Sequence, residues 1–186
     1  MVVARIIGSL WAITFVYWIV LAFGNKQTKI RQSRASRLAY VIALVAAVEF
    51  LKAQRGLHFL LLPANAATES AGLLLCVAGL ALAIQARHIL GRNWSGFVSI
   101  KQDHELIQRG PYRFVRHPLY TGLIVALTGT TLSLAPTAEG FLLDLVLIAA
   151  FYVKARQEEN VLAGEFGENY AEYKRSVKAA LIPFVL

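Results

Sequence analysis

Hydrophobic residues along this chain are grouped into five long stretches separated by polar segments. The stretches cover about residues 3–23, 38–60, 70–90, 118–135 and 139–153. A helix needs about 20 apolar residues to cross a bilayer, and the first and third stretches reach that length. The fourth and fifth are shorter and are separated around Pro136 and Thr137, which predicts a tight helical hairpin. The pattern therefore predicts an all-α polytopic membrane protein with about five transmembrane helices.

The second stretch is interrupted by charged residues. Glu49, Lys52 and Arg55 are followed by Gly56 before the apolar run resumes. Charges at bilayer depth are costly and usually face protein or water. Because Glu49 and Lys52 are three residues apart, they share a helix face and can pair. We favour an ion pair near the outer interface, with Lys52 and Arg55 extending towards the headgroups, over a ligand-binding role.

Lysine and arginine predict the orientation of the helices. They are concentrated in the link after the first stretch, in the link between the third and fourth, and in the tail after the fifth. The links around residues 63–68 and 136–139 contain none. With five crossings, all three basic segments lie on one side, which the positive-inside rule makes cytoplasmic. We expect the N-terminus outside, the C-terminus in the cytoplasm, and a plasma or inner membrane location.

Composition supports a membrane protein and argues against nucleic-acid binding. Hydrophobic residues make up 57% of the 186 residues, and charged residues only 16%, against about 25% in soluble domains. The net charge of +8 fits cytoplasmic loops that face anionic lipid. The single cysteine, Cys76, lies inside an apolar run and is expected to be a small buried hydrophobic residue. The first stretch is too long for a signal-peptide core, so we expect a retained helix.

The residues suited to chemistry are gathered in two cytoplasmic segments, 87–117 and 154–186. In the first, Pro118 suits the first turn of the fourth helix and places His117 at its N-terminus. A helix N-terminus favours an anionic group, although helix capping and interfacial anchoring explain the same residues. In the second, Glu158 and Glu159 follow the membrane exit of the fifth helix. They are either solvated charges or the partners of a cationic ligand group.

The end of the second segment has its own pattern. Gly167 can terminate the fifth helix. Tyr170 and Tyr173 are three residues apart, which predicts that they share one face of a second short helix.

Two sequence blocks carry a resemblance to a known family. Residues 110–122 read G-P-Y-x-x-V-R-H-P-x-Y-x-G, and residues 158–173 read E-E-x-x-L-x-x-x-F-G-x-x-Y-x-x-Y. Together and in this order they resemble the isoprenylcysteine carboxyl methyltransferase family, which includes bacterial and archaeal members and related phospholipid N-methyltransferases. The resemblance covers about residues 85–184. It implies one domain over residues 1–186, with N-terminal membrane helices in 1–85 and a family-like catalytic half in 86–186.

The resemblance implies a membrane-embedded methyltransferase that uses S-adenosylmethionine, without a Rossmann domain and without a metal. Its cofactor lies in a cytoplasmic pocket formed by the ends of the last two membrane helices and the C-terminal segment. The residues that match the cofactor-binding positions are His117, Pro118, Tyr120, Gly122, Tyr112, Glu158 and Glu159. Glu158 and Glu159 would hold the amino group or the ribose. The expected reaction is O-methylation of the carboxylate of a prenylcysteine-like or other lipophilic substrate from the bilayer, with membrane lipids as surroundings and the oligomeric state open.

This chain departs from the family at one position that bears on the acceptor. Eukaryotic members resemble Tyr-x-x-Tyr-x-x-Arg-Val-Pro near the C-terminus, and their Arg is implicated in positioning the carboxylate. Here Ser176 stands at that position, Arg175 is one residue earlier, and Lys178 replaces the Pro. We therefore take Arg175, Tyr170 and Arg113 as candidate catalytic residues. For an acceptor that must lose a proton, the candidate bases are His104, His117, Tyr112 and Tyr170.

Two other functions remain open at this stage. A membrane reductase of the sterol reductase type would share the C-terminal architecture and bind NADPH. A non-catalytic membrane accessory protein would bind neither cofactor. Binding of S-adenosylmethionine, of NADPH or of neither distinguishes the methyltransferase, the reductase and the accessory protein.

Overall fold

The computed structural model describes residues 2–31 and 33–181, and the protein is mostly helical. Side chains of Arg31, Ser36 and Arg55 lie outside the described part, as do residues 182–186, where the C-terminal resemblance ends. The helices are α1 (Val2–Ala22), α2 (Arg34–Lys52), α3 (Ala66–Leu90), α4 (Pro118–Leu134), α5 (Ala138–Phe166) and α6 (Glu168–Ser176). Two strands, β1 (Thr28–Arg31) and β2 (Ser99–Lys101), pair antiparallel.

Each of the five apolar stretches contains a long helix, and the second differs most from its expected bounds. The helix α2 begins at Arg34 and ends at Lys52, so the α-helix does not continue through the apolar run up to residue 60, where a short 3-10 helix spans Arg55–Leu57. Gly56 and Pro63 interrupt the helical pattern there, and the backbone pairs with the turn between α4 and α5 instead. Leu61 N–H donates to the Pro136 carbonyl at 2.9 Å. The predicted ion pair is present, with Lys52 Nζ 2.9 Å from Glu49 Oε1.

Two of the described helices are long and apolar enough to cross a membrane, judged by length and composition. They are Val2–Ala22 and the segment Ala66–Asn93, while Pro118–Leu134 is apolar but shorter. Large hydrophobic side chains are exposed along α1 and α2, for example Phe15, Val16, Leu38 and Phe50. A continuous exposed apolar surface of this kind is typical of a protein that faces lipid.

The helices α3 and α4 pack with their backbones in direct contact. A Cβ atom added to Gly79 of α3 would lie 2.3 Å from Ala126 N of α4, and one added to Gly129 would lie 2.4 Å from Cys76 N. Gly122 takes part in the same contact, since an added Cβ would meet the Gly79 carbonyl oxygen at 2.6 Å. Small residues allow membrane helices to approach this closely. The pair therefore holds the start of α4 in a defined position relative to the end of α3.

The remaining helices pack around this pair. The helix α1 lies against α3 and α4 through Ile7, which is buried with Cys76 and Leu80. The helix α5 packs on α4, and α2 packs on α5, where Tyr40 Oη donates to the Ala150 carbonyl at 3.1 Å. The order across the bundle is thus α2, α5, α4, α3 and α1.

A short two-stranded sheet, which the sequence analysis did not predict, accompanies the helices. It joins the link between α1 and α2 to the segment after α3, with Thr28 opposite Lys101 and Ile30 opposite Ile100. The strands are four and three residues long, too short for an alternating pattern to identify them. Their pairing fixes the link between α1 and α2 against the segment after α3.

The N-terminus of α4 and the C-terminus of α5 follow the sequence predictions. His117 is the N-cap of α4 and Pro118 is its first residue. The helix α5 ends at Gly167, whose φ of 53° lies in the left-handed region that favours glycine. The short helix α6 follows, and it buries Tyr170 and Tyr173 on one face.

The contact between α3 and α4 predicts that Gly79→Ala destabilises the protein. The added methyl group meets backbone atoms that cannot move independently, so we expect a loss of about 1–3 kcal/mol in the free energy of unfolding. Gly164→Ala is the matched control, because Gly164 also lies in a helix but an added Cβ meets nothing within 4 Å. Denaturant titration in detergent measures both. Equal stability of the two variants would contradict the close approach.

Candidate functional site

A recess lies where the N-terminus of α4 and the C-terminal part of α5 meet the segment after α3 and the helix α6. Its cavity volume is about 110 Å³. We call it the inner recess, and its lining includes Asn93, Trp94, Ile100, His104, Tyr112, Arg116, His117, Tyr120, Glu158, Leu162, Tyr170 and Tyr173. Residues of both sequence blocks therefore converge on one place.

His117 lies between the two carboxylates of α5. Its Nδ1 is 3.6 Å from Glu158 Oε2, and its Nε2 is 3.6 Å from Glu159 Oε1. Tyr120 Oη donates a hydrogen bond of 2.5 Å to Glu158 Oε1. The N-terminus of α4 and the C-terminal part of α5 are thereby joined by a buried polar cluster.

Arg116 completes this cluster from the other side. Its Nε is 2.7 Å from Glu159 Oε1, and the two side chains are only 6% and 2% exposed. The second nitrogen, Nη1, donates to the carbonyls of Val177 and Lys178 at 2.6 and 2.7 Å. Buried charges are stable only when they are paired and hydrogen-bonded, so Arg116 and Glu159 depend on each other.

The environment shifts the pKa values of the cluster in opposite directions. Burial alone raises the pKa of Glu159, but His117 and Arg116 outweigh it and lower the pKa to about 2. The pKa of Glu158 is also lowered, because His117, Lys154 and Tyr120 outweigh its burial. Burial lowers the pKa of His117, yet the two carboxylates raise it above its ordinary value. The cluster therefore favours ionised carboxylates beside a protonated imidazole.

The segment after α6 closes the site at the N-terminus of α4. Arg116 N–H donates to the Ala179 carbonyl and His117 N–H to the Ala180 carbonyl, each at 3.0 Å. Thr121 Oγ1 donates to the Leu181 carbonyl. These bonds hold the C-terminal segment beside the recess and use the backbone of His117, so its side chain is left to face the carboxylates.

An aromatic stack runs from the recess along α5. The His117 and Tyr120 rings stack with centroids 5.6 Å apart, and Tyr120 stacks on Phe151 at 5.2 Å. Lys154 Nζ lies 5.2 Å from the centroid of the Tyr120 ring and donates to the Gly96 carbonyl at 2.7 Å. A cation is therefore present at the edge of the recess beside Tyr120 and Glu158.

The predicted site residues fall into two groups by position. Those at the inner recess are His117, Tyr120, Tyr112, Glu158 and Tyr170, with Glu159 and Pro118 buried directly behind them. Gly122 instead faces α3, where it packs against Gly79. Arg175 and Arg113 are exposed outside the recess, and Arg175 pairs with Glu168 at 2.6 Å.

The two tyrosines among the candidate bases differ in their contacts. Tyr112 Oη donates to the Ala86 carbonyl at 3.3 Å, and burial raises the pKa of the Tyr112 hydroxyl. Tyr170 is 1% exposed, its hydroxyl has no hydrogen-bond partner among the described residues, and burial raises its pKa as well. A raised pKa makes either phenol a poor base at neutral pH.

His104 is held in one tautomer. Its Nδ1 accepts a hydrogen bond from Lys101 N–H at 3.2 Å, so the proton of the neutral ring is on Nε2. Burial, together with Lys26, lowers the pKa of His104. The ring is therefore neutral at physiological pH and offers one N–H donor.

Several buried polar atoms at the inner recess lack a partner within the described residues. They are Asn93 Oδ1, Ser99 Oγ, His117 Nε2 and Tyr170 Oη. Buried polar groups are usually hydrogen-bonded, and an unsatisfied group needs an explanation. Unsatisfied donors and acceptors beside ionised carboxylates and aromatic rings match a ligand with amino, hydroxyl and planar heteroaromatic groups. The chemistry of these residues thus fits S-adenosylmethionine.

Sequence reasoning did not select Arg116, Asn93 or Lys154 as site residues. Arg116 lies inside the first block beside His117. A charged residue so close to the start of an apolar helix could have identified it as a candidate site residue. Asn93 and Lys154 lie outside both blocks. No local pattern distinguishes them from other polar residues at helix ends.

A second cavity adjoins the first on the solvent side. We call it the outer recess, and it has a volume of about 720 Å³. It shares His104, Glu105, Leu106 and Tyr173 with the inner recess, and its other lining residues include Glu172 and Ser176. The two cavities are therefore separated by a thin wall built mainly from residues 104–106.

A protein-family model matches the part of the chain that contains most of the site. The model of the isoprenylcysteine carboxyl methyltransferase family matches residues 72–164, half of the 186-residue chain. The matched segment contains most of α3, all of α4, the first sequence block and both carboxylates of the cluster.

Curated relatives with the name protein-S-isoprenylcysteine O-methyltransferase are similar over part of the chain. The Schizosaccharomyces pombe enzyme is 33% identical over 93 residues, which are 49% of this chain and 39% of that protein. The Rattus norvegicus enzyme is 35% identical over 63% of this chain and 42% of that protein. Enzyme B of Arabidopsis thaliana is 29% identical over 61% of this chain and 58% of that protein. The match thus spans roughly half the length of these relatives.

A solved structure has the same fold. It is that of the eukaryotic intramembrane Ras methyltransferase, an isoprenylcysteine carboxyl methyltransferase, determined without a monobody. The TM-score is 0.52 at 23% sequence identity, over 83% of this chain and 54% of that one.

The buried pair of Arg116 and Glu159 predicts a large loss of stability when one partner is removed. We expect Arg116→Met to lower the free energy of unfolding by about 3–5 kcal/mol, because it leaves a buried carboxylate without its main partner. Arg175→Met removes an exposed pair of similar length and should leave stability nearly unchanged. Denaturant titration in detergent measures both.

The double variant Arg116→Met, Glu159→Met provides the control for the pair. Removing both charges should restore part of the stability lost in Arg116→Met. A double variant less stable than Arg116→Met would show that the ion pair is not the main cause of the loss.

Proposed function

Because the chain belongs to the isoprenylcysteine carboxyl methyltransferase family, we propose that it is an integral membrane methyltransferase that uses S-adenosylmethionine and methylates the carboxylate of a prenylcysteine-like lipophilic acceptor. The observation that carries the proposal is the buried cluster of His117, Glu158 and Tyr120 in the inner recess. These residues come from the two sequence blocks that the family resemblance rests on, and the fold joins them across about 40 positions of the chain.

The inner recess offers each part of the cofactor a suitable partner. The ionised carboxylate of Glu158 suits the amino group or the ribose hydroxyls, and its Oε2 is not used by Tyr120. The unsatisfied Asn93 Oδ1 and Tyr170 Oη suit further polar groups. Trp94 and Leu162 provide apolar surface in the same cavity. Glu159 and Arg116 act behind this surface and position His117 and the C-terminal segment.

The chemistry needs little proton transfer from the protein. S-adenosylmethionine, when bound, supplies an activated methyl group and a neutral thioether leaving group. A carboxylate acceptor is already ionised at neutral pH, so the chain needs no general base for it. The demands on the protein are alignment of the acceptor and exclusion of water. The buried walls of the inner recess, which lie at the cytoplasmic ends of apolar helices, meet both demands.

We assign the orientation of the acceptor carboxylate to Lys154 rather than to Arg175 or Arg113. Arg175 and Arg113 are exposed outside the recess, whereas the Lys154 ammonium lies against the Tyr120 ring at its edge. A lysine is a point charge and does not hold a carboxylate in a bidentate fork as arginine does. Phe151, one turn before Lys154 on α5, offers apolar surface for the lipid part of the acceptor.

Binding of S-adenosylhomocysteine tests the cofactor assignment directly. We expect saturable binding to detergent-purified protein by calorimetry and no binding of NADPH under the same conditions. Glu158→Gln removes the charged acceptor and should weaken the affinity by about 10- to 100-fold, as expected for a hydrogen bond to a charged group.

Glu168→Gln is the matched control for that substitution. Glu168 is a carboxylate on the neighbouring helix α6, exposed and paired with Arg175. The affinity of the Glu168→Gln variant for S-adenosylhomocysteine should therefore match that of the parent protein. Equal affinities of the parent protein and Glu158→Gln would remove Glu158 from the site. Binding of NADPH in place of S-adenosylhomocysteine would favour the reductase.

A further inference from the structure

The link between α1 and α2 lies across the cytoplasmic side of the recess. We call residues 24–31 the strap. Its backbone is bonded to the segment after α3 at several points, including Lys26 N–H to the Arg92 carbonyl at 3.0 Å and Gln102 N–H to the Gln27 carbonyl at 2.8 Å. Within the sheet, Ile30 lies opposite Ile100, a lining residue of the inner recess. The strap therefore covers the outside of a wall of the inner recess.

Two lysines fasten the strap to elements on either side of the outer recess. Lys26 Nζ is 2.5 Å from the Asp103 carbonyl and 3.2 Å from Glu105 Oε1, and Glu105 lines both cavities. Lys29 Nζ is 2.7 Å from Glu165 Oε1, near the end of α5. Lys26 thus contacts the wall between the cavities, and Lys29 contacts the end of α5, the helix that contains Glu158.

The wall itself is a short surface segment. Residues 104–106 separate the inner recess from the outer one, and the His104 ring contacts the Phe166 ring with centroids 5.8 Å apart. Before this segment the chain turns at Asp103, whose φ of 48° is in the left-handed region. Moving residues 103–106 outward would join the two cavities, and Lys26 of the strap is bonded to Asp103 and Glu105 of that segment.

We propose that the strap is a lid over the wall between the two recesses, and that its opening lets a polar cofactor exchange between the inner recess and the cytosol through the outer recess. This inference rests on the proposed function, because it assumes that the inner recess holds S-adenosylmethionine. The lid belongs to the first cytoplasmic link, outside the segment that matches the family model.

The contacts that hold the strap suit reversible opening. Lys29 and Glu105 have more than half of their side chains exposed, and exposed ion pairs are individually weak and screened by salt. A two-stranded sheet as short as this one is only marginally stable by itself. The strap is thus closed by several weak interactions, which can be broken and remade during each cycle.

A disulfide across the sheet tests the lid. Thr28 and Lys101 are paired residues in an antiparallel ladder, and Lys101 Nζ is 3.2 Å from Thr28 Oγ1, so Thr28→Cys with Lys101→Cys places two thiols within bonding range. The only native cysteine, Cys76, is buried elsewhere. Release of radiolabelled S-adenosylhomocysteine is measured before and after reduction. We expect release to slow by about tenfold or more in the oxidised protein and to recover on reduction.

Variants that remove one charge test the same lid without a cross-link. They show whether the strap controls exchange even if the disulfide does not form. Lys29→Ala should speed both binding and release of S-adenosylhomocysteine by about two- to fivefold, the effect of losing one exposed ion pair. The matched control is Lys52→Ala, which removes an exposed pair with Glu49 far from the recess and should leave both rates unchanged.

The outcomes separate the two proposals. If the parent protein binds S-adenosylhomocysteine but exchange is the same in the oxidised, reduced and Lys29→Ala proteins, the lid is wrong and the proposed function stands. If the folded parent protein does not bind S-adenosylhomocysteine, the proposed function fails and the lid fails with it.

Discussion

The ion pair between Arg116 and Glu159 is the interaction on which the rest of the site depends. It is almost fully buried, so each charge stabilises the other, and Arg156 and Lys174 add longer contacts to Glu159 Oε2 at 3.3 and 3.4 Å. Arg116 belongs to the segment before α4, Glu159 to α5, and the two carbonyls that Arg116 also binds belong to the tail after α6. One guanidinium therefore joins the segment before α4, the helix α5 and the tail after α6. His117 and Glu158, the adjacent residues, are aligned as a consequence.

The second constraint is the contact between α3 and α4. Their glycines bring the two backbones together, which fixes where α4 begins and hence where His117 lies. The segment between these helices is tied to α6, since Tyr173 Oη donates to the Tyr112 carbonyl at 2.7 Å. The contact between α3 and α4 and the buried polar cluster are thus parts of one arrangement, in which apolar packing determines the position of buried charges.

Much of this arrangement could be predicted from the sequence, because it depends on local signals. Pro118 and Gly167 mark helix ends through backbone conformation alone, and the three-residue spacing of Tyr170 and Tyr173 identifies one helix face. The roles of the arginines could not be predicted in this way. Arg113, Arg116 and Arg175 look alike in the sequence, and only Arg116 meets a buried carboxylate in the fold. The pairing of β1 with β2 joins strands about 70 residues apart, which no local pattern indicates.

The central claim is that the inner recess transfers a methyl group to a lipophilic carboxylate. The most direct measurement is transfer of label from methyl-tritiated S-adenosylmethionine to an S-farnesylated cysteine analogue by the purified protein in detergent or liposomes. The account predicts label in the acceptor that is released by mild alkali, as expected for a methyl ester. Label that withstands alkali, or no transfer by protein that binds S-adenosylhomocysteine, would contradict it.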